Sequence, residues 1–185
     1  MIDILKKLFS NNNNRKQTFS LAAEEEGRVF QPYEKLFQLI CDNYALNLKG
    51  IHGIKHWVQV YKNTQFLANA YAIRSDVFML FALLHDSKRE DEYEDRDHGI
   101  RAAGSIKDYI QDGVVDLSEE DEARLFYACS NHTHADKNNT LYHDLVVQIC
   151  LDADKLDIGR VGVIPDESHF LTDVAKEHLV SLKNK

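Results

Sequence analysis

Hydrophobic positions along the chain recur mostly at intervals of three and four, the period of an α-helix with one buried face. Over residues 33–44, Leu36, Phe37, Leu39, Ile40 and Tyr44 keep that spacing behind Pro32, a residue suited to a first helical turn. Over 52–71, positions 56, 60, 64, 67 and 71 fall on one side, so His56 tops an inward seam with His52 one turn before it on the same helix. Ser75 is placed to cap the next helix, whose body over 77–84 is apolar on every side and therefore belongs at the centre of the domain. That helix runs directly into His85 and Asp86, and residues 87–97 are then so dense in charge that they read as a loop. A helix over 98–110 carries Ile100, Ala103, Ile106 and Ile110 on one stripe. Ser118 and Asp121 have capping-box spacing at the head of a helix over 119–132. Residues 144–158 are again apolar on one side, and 167–182 read as a weaker closing helix. With no strand pattern and no internal repeat, the expected fold class is all-α.

Length and composition agree with that reading. A chain of 185 residues suits one compact domain, and two prolines with eight glycines leave little material for a turn-rich β architecture. The Asn-rich tract at 11–14 cannot bury surface, so the expected organisation is a mobile arm over 1–28 followed by a single domain over 29–185. A net charge of −8 repels a polyanion in the absence of a basic patch, and no long nucleic acid is expected as a partner. The longest apolar stretch, 77–84, falls far short of the roughly 20 residues that span a bilayer, so no membrane partner is expected either. Residues 2–9 lack a continuous signal core, which makes the expected location cytoplasmic. Cys41, Cys129 and Cys150 stand singly in apolar segments and read as reduced core residues.

Chemistry enters where polar residues meet buried helices. His85 and Asp86 close a wholly apolar helix, where they carry a desolvation cost unless paired; a divalent cation is one partner, and a helix that simply ends at the surface is the alternative. Asp154 shares a helical face with Val147, Cys150 and Leu151 and points inward, whereas Asp152 is rotated away; its counter-charge is a metal, or else Lys155 or Arg160 in an ordinary ion pair. His132 lies on the apolar seam of its helix with Leu125, Ala128 and Cys129, His134 is off that seam, and His98 stands near a helix start. Taken singly, each is a common structural residue. Together they set inward-facing histidine or aspartate at the ends of several buried helices.

On these residues the chain resembles the HD phosphohydrolase superfamily. The resemblance rests on the His-Trp-x-x-Val start at His56, the His85-Asp86 doublet, the acidic loop leading to His98-Gly99, the Asn131-His132-Thr133 turn and the Asp-x-Asp-Lys-Leu-Asp run over 152–157. It extends over about 52–160 and implies a compact orthogonal helical bundle of the HD-domain type. By the same resemblance His56, His85, Asp86 and Asp154 are metal ligands. In members with two metals His98 and His132 complete a second site with Asp86 bridging, although the short loop between Asp86 and His98 also leaves His98 free to act on substrate or water.

The implied cofactor is a divalent ion (Mn, Fe, Co, Ni, Zn or Mg), one or two per chain, that activates water for attack on phosphorus. Asp86 is the expected catalytic residue that holds both metal and nucleophile. His52 is expected to orient a ligand or to donate to the leaving group. Lys155, with Lys88, Arg89 and Arg160, is expected to neutralise the phosphate. The implied substrate is a small phosphorylated metabolite or nucleotide. Two rival readings use the same ligands: a non-catalytic metal-binding module in signalling or protein contact, and a di-iron oxygenase on a related helical fold.

Overall fold

A computed structural model describes residues 27–183, and among them the chain is all-helical, with no strand. Most of the expected arm over 1–28 lies outside the described residues; Arg28, its last residue, already opens a 3-10 turn over Arg28–Tyr33 that buries Phe30 against Phe37 and Tyr61. The α-helices are α1 (Glu34–Asn43), α2 (Ile54–Ala70), α3 (Val77–Leu84), α4 (His98–Gly104), α5 (Ile106–Gln111), α6 (Glu119–Asn131), α7 (Leu145–Lys155) and α8 (Asp173–Lys183).

The all-apolar segment forms α3, and it lies at the centre as its composition requires. Val77, Phe78, Leu80, Phe81, Ala82, Leu83 and Leu84 are all buried, and α3 packs against α1, α2, α6 and α7. Truncating any of its large side chains to alanine removes about 2–5 kcal/mol, because neighbours held on all sides cannot collapse into the space. Around it α2 lies along α7, and α4 along α6. The Ser118 cap read from the sequence forms as expected, accepting from the Asp121 amide at 3.2 Å, and Asp144 caps α7 in the same way, accepting from the Val147 amide at 3.1 Å. The Ser75 hydroxyl accepts from the Val77 amide at 3.2 Å.

Three expectations need correction. His52 is not on α2. The helix starts at Ile54, because the chain turns tightly at Gly53, where a Cβ would lie 2.1 Å from the Leu48 carbonyl oxygen. His52 sits in the loop before this turn, its carbonyl accepting from the Tyr44 hydroxyl at 2.8 Å. The expected helix over 98–110 is two helices that break at Ser105, whose hydroxyl returns to the Ala102 carbonyl at 2.7 Å. The buried face there is Gly99, Ala102, Ala103 and Ile106, which leaves Ile100 out of phase and 59% exposed. The closing helix begins at Asp173, after a separate 3-10 turn over Glu167–His169. The reason is Asp152. It does turn away from the Asp154 side of α7, yet it is fully buried, and it accepts from the amides of Leu171 and Thr172 and the hydroxyl of Thr172 at 2.7–3.0 Å, pinning the extended chain there.

Candidate metal centre

The helices bring their polar ends to one place. His56 stands in the first turn of α2, His85 caps the C-terminus of α3 with Asp86 after it, His98 opens α4, His132 caps α6 and Asp154 lies in the last turn of α7. Close approach of α4 to α6 depends on Gly99: a Cβ there would lie 2.4 Å from the Cys129 carbonyl oxygen and 3.1 Å from the His132 ring. Of these residues all but Asp154 are buried, and Asp154 is partly open.

Two groups of ligand atoms flank Asp86: His56, His85 and Asp154 on one side, and His98 and His132, grouped with Asp86 itself, on the other; His52, His56 and Asp86 form a third. In the first, His56 Nε2 lies 3.0 Å from His85 Nε2, 3.3 Å from Asp154 Oδ1 and 3.5 Å from Asp86 Oδ2, while His85 Nε2 lies 3.6 Å from Asp86 Oδ2 and 3.8 Å from Asp154 Oδ1. In the second, Asp86 Oδ1 lies 3.1 Å from His98 Nε2 and 3.6 Å from His132 Nε2, and the two ring nitrogens are 2.8 Å apart. Ligand atoms at about 2.1 Å from an ion stand roughly 3.0 Å apart in an octahedron and roughly 3.4 Å apart in a tetrahedron, so both groups have the span of a coordination shell. The buried cluster can therefore hold a metal ion.

The far side of each ring strengthens the case. His85 Nδ1 donates to the Phe81 carbonyl at 3.0 Å, His132 Nδ1 to the Cys129 carbonyl at 2.8 Å, His98 Nδ1 to the Asp95 carbonyl and His56 Nδ1 to Asp157 Oδ2 at 2.7 Å. Carbonyl and carboxylate oxygens only accept, so every Nδ1 carries a proton and every neutral ring turns a lone pair on Nε2 toward the cluster. Two facing pairs of such nitrogens, ringed by carboxylate oxygens, repel unless a metal ion or a proton lies between them. This is the arrangement by which outer partners fix metal-binding imidazoles.

Without a metal, protons on His56 and His132 take that place. Complete burial pushes His85 down to about 3, so its ring is neutral and its Nε2 is a pure acceptor. Burial works against a charge on His56 and His132 too, but Asp154 and Asp157 beside the first and Asp86 beside the second hold both above the ordinary imidazole value. Burial opposes the charge on Asp86 and Asp154 as well, and the surrounding histidines overcome it and keep both well below the usual carboxylate range. Of the two counter-charges open to Asp154 in the sequence, neither Lys155 nor Arg160 pairs with it among the described residues; its partners are His56 and His85. Arg160 is spent elsewhere, donating to the Ile51 and Asp157 carbonyls at 2.8 and 3.2 Å.

Asp86, Asp154, His98, His132 and His52 face a cleft of about 970 Å³, with His56 and His85 behind them. His52 reaches Asp86 although it is off the helix: its Nδ1 is 2.8 Å from Asp86 Oδ2 and its Nε2 is 3.2 Å from the Glu92 carbonyl oxygen. Arg89 and Lys155 line the same cleft, whereas Lys88 does not. Arg89 is 8% exposed, and its Nε is buried without a hydrogen-bond partner. Burial pushes the Lys155 ammonium down from its ordinary value.

Comparison of the chain with protein-family models, curated proteins and solved structures found no match. The cluster thus stands on its own geometry. All six residues expected to bind metal, His56, His85, Asp86, Asp154, His98 and His132, converge here. What sequence reasoning missed is the supporting layer. Asp157 was legible in principle, since it stands three residues after Asp154 and so on its side of the helix end. The carbonyls of Phe81, Asp95 and Cys129 carry no side-chain signal at all.

Proposed function

We propose that this chain is a metal-dependent phosphohydrolase of the HD type, acting on the phosphate ester of a small phosphorylated metabolite or nucleotide. The observation that carries the reading is the shared carboxylate: Asp86 presents one oxygen to each of two histidine-lined ligand groups on the floor of a cleft that also holds the buried guanidinium of Arg89, whose Nε has no hydrogen-bond partner. In this reading His56, His85, Asp86 and Asp154 hold one divalent ion, and Asp86, His98 and His132 hold a second. The mixed nitrogen and oxygen donors suit manganese, iron, cobalt, nickel or zinc. Such an ion acidifies water and polarises a phosphoryl oxygen.

The chain's own groups do the rest. Arg89, with N–H groups to spare beside Asp86 and His98, takes the phosphoryl oxygens, and Lys155 adds a second positive charge from the α7 side. His52 keeps Asp86 oriented through its Nδ1, and with its Nε2 against the Glu92 carbonyl oxygen both ring nitrogens are engaged, so orienting the ligand is the role its contacts support. Among the described residues no helix is long and apolar enough to cross a membrane; the reading places the enzyme in the cytoplasm.

The test is a screen of phosphate monoesters, diesters and nucleotides with added manganese, following phosphate or alcohol release. Hydrolysis that chelator abolishes, manganese restores and Asp154→Ala removes is the expected result. A metal-loaded protein inert toward every phosphate class tested refutes the reading.

A further inference from the structure

The large hydrophobic side chains left exposed are not spread evenly. Ile51, Tyr93, Val161, Val163 and Ile164 all border the cleft, with Tyr93 91% and Ile164 84% exposed. The others, Phe66, Ile100, Phe126 and Val180, stand singly on α2, α4, α6 and α8, and the Phe66 ring packs at a tilt against His178 with centroids 4.7 Å apart. Isolated exposed apolar residues are ordinary, but a group gathered on one rim marks a contact surface.

The rim has a definite side. Val161, Gly162, Val163, Ile164 and Pro165 follow one another without a polar side chain, and Phe170 and Leu171 continue the same wall where Asp152 pins the chain. The buried polar atoms of the cleft that lack a partner, Arg89 Nε and Glu92 Oε2, belong to residues that touch His98 and His52 on the floor. Polar side chains line the cleft beyond the floor as well, among them His134, Lys137, Asp166, Ser168 and His169, but the 161–165 stretch presents apolar area alone. A sugar or base laid along that stretch would meet no side-chain donor or acceptor there.

We infer that the ester cleaved here has an apolar leaving group, an alkyl or aryl alcohol that lies along the 161–165 wall while its phosphate sits on the floor. The inference rests on the phosphohydrolase reading. In the step, a bond forms from water oxygen to phosphorus, the bond from phosphorus to the ester oxygen breaks, and a proton passes to that oxygen, leaving free alcohol and inorganic phosphate.

The experiment uses the full chain loaded with manganese and a series of n-alkyl phosphates from ethyl to hexyl. Their leaving alcohols have nearly one acidity, so chain length changes apolar contact alone. The expected result is a kcat/KM that climbs by roughly threefold per added methylene, with hexyl phosphate cleaved better than glycerol phosphate or a nucleoside monophosphate. In Ile164→Ser the hexyl-to-ethyl ratio falls, a readout independent of the fraction of active protein. A flat series in the unaltered chain, with ethyl phosphate still hydrolysed, overturns the inference and leaves the phosphohydrolase reading standing. Absence of any hydrolysis overturns that reading instead. Calorimetric titration with n-alkylphosphonates, which have no ester to cleave, then decides the wall by itself: affinity that grows with chain length upholds it, and affinity that does not overturns it.

Discussion

Replacing Asp86 with asparagine separates a bridging ligand from an ordinary one. The side chain keeps its size, but one oxygen becomes an NH2 group and the charge is lost. In either rotamer the amide nitrogen faces lone pairs: those of His56 and His85, at 3.5 and 3.6 Å from the present Oδ2, or those of His98 and His132, at 3.1 and 3.6 Å from the present Oδ1. The group that meets the nitrogen loses a ligand outright. The other keeps a neutral oxygen and loses only the charge. Removing one partner from a buried ionic arrangement costs about 3–5 kcal/mol, which is roughly two to three and a half orders of magnitude in affinity. Manganese titration by calorimetry, with elemental analysis after desalting, should therefore show Asp86→Asn losing one ion completely and binding the other at least about 100-fold more weakly. His132→Ala is the control, since its Nε2 faces Asp86 Oδ1 and His98 while its ring only packs edge-on against His85, with centroids 5.2 Å apart; it should lose one ion and keep the first. Unaltered stoichiometry and affinity in Asp86→Asn, or loss of every ion in His132→Ala, would refute the shared-carboxylate geometry.

The remaining predictions follow from neighbouring contacts. Asp157→Asn weakens the hold on His56 Nδ1 and should lower metal affinity about 10–100-fold without unfolding the chain, measured by the same titration. Gly99→Ala places a Cβ against the Cys129 carbonyl and must push α4 off α6. It should cost about 1–3 kcal/mol in denaturant melts and remove the ion held by His98 and His132 while sparing the one on His56. Without metal, His56 and His132 sit above the ordinary imidazole value of 6.5. Their stabilising contribution is full below that value and is lost as pH rises through their folded-state values. His85 is depressed, so it changes charge only below the same window. In chelator the melting temperature should fall as pH rises above about 6.5. With manganese it should rise, because the ion displaces the protons that acid would return.

The fold was legible wherever burial is decided by side chains alone. An unbroken apolar run such as 77–84 has only one place to go, and the seam over 56, 60, 64 and 67 faces inward as its spacing requires. Backbone geometry was not legible. The helix break at Ser105 and the turn at Gly53 come from close approaches and local hydrogen bonds that periodicity does not encode. The turn at Gly53 moved His52 off its expected helix. The ligands were legible for the same reason as the core: a titratable group at the end of a buried helix needs a partner. Asp152 shows the limit of that rule. It is a buried aspartate of the same run, and backbone amides rather than a metal satisfy it. Helical phase separated it from Asp154 correctly, but only the fold shows what each one serves.

The readings that compete with hydrolysis share the ligands, so the surroundings have to discriminate. A di-iron oxygenase needs two ions and room for oxygen, and a structural metal needs only closure. Neither calls for a guanidinium left buried beside the shared carboxylate without a partner for its Nε, nor for an ammonium kept at the mouth of the same cleft at the cost of its own solvation. Both features lower their own cost when an anion enters, and an acceptor-rich tetrahedral anion is the ligand that satisfies a guanidinium fork, an ammonium and a divalent ion at once. The cations therefore favour phosphate as the bound group. The open side of Asp154, the one member of the first group that is not buried, is where such an anion could reach an ion held by the cluster.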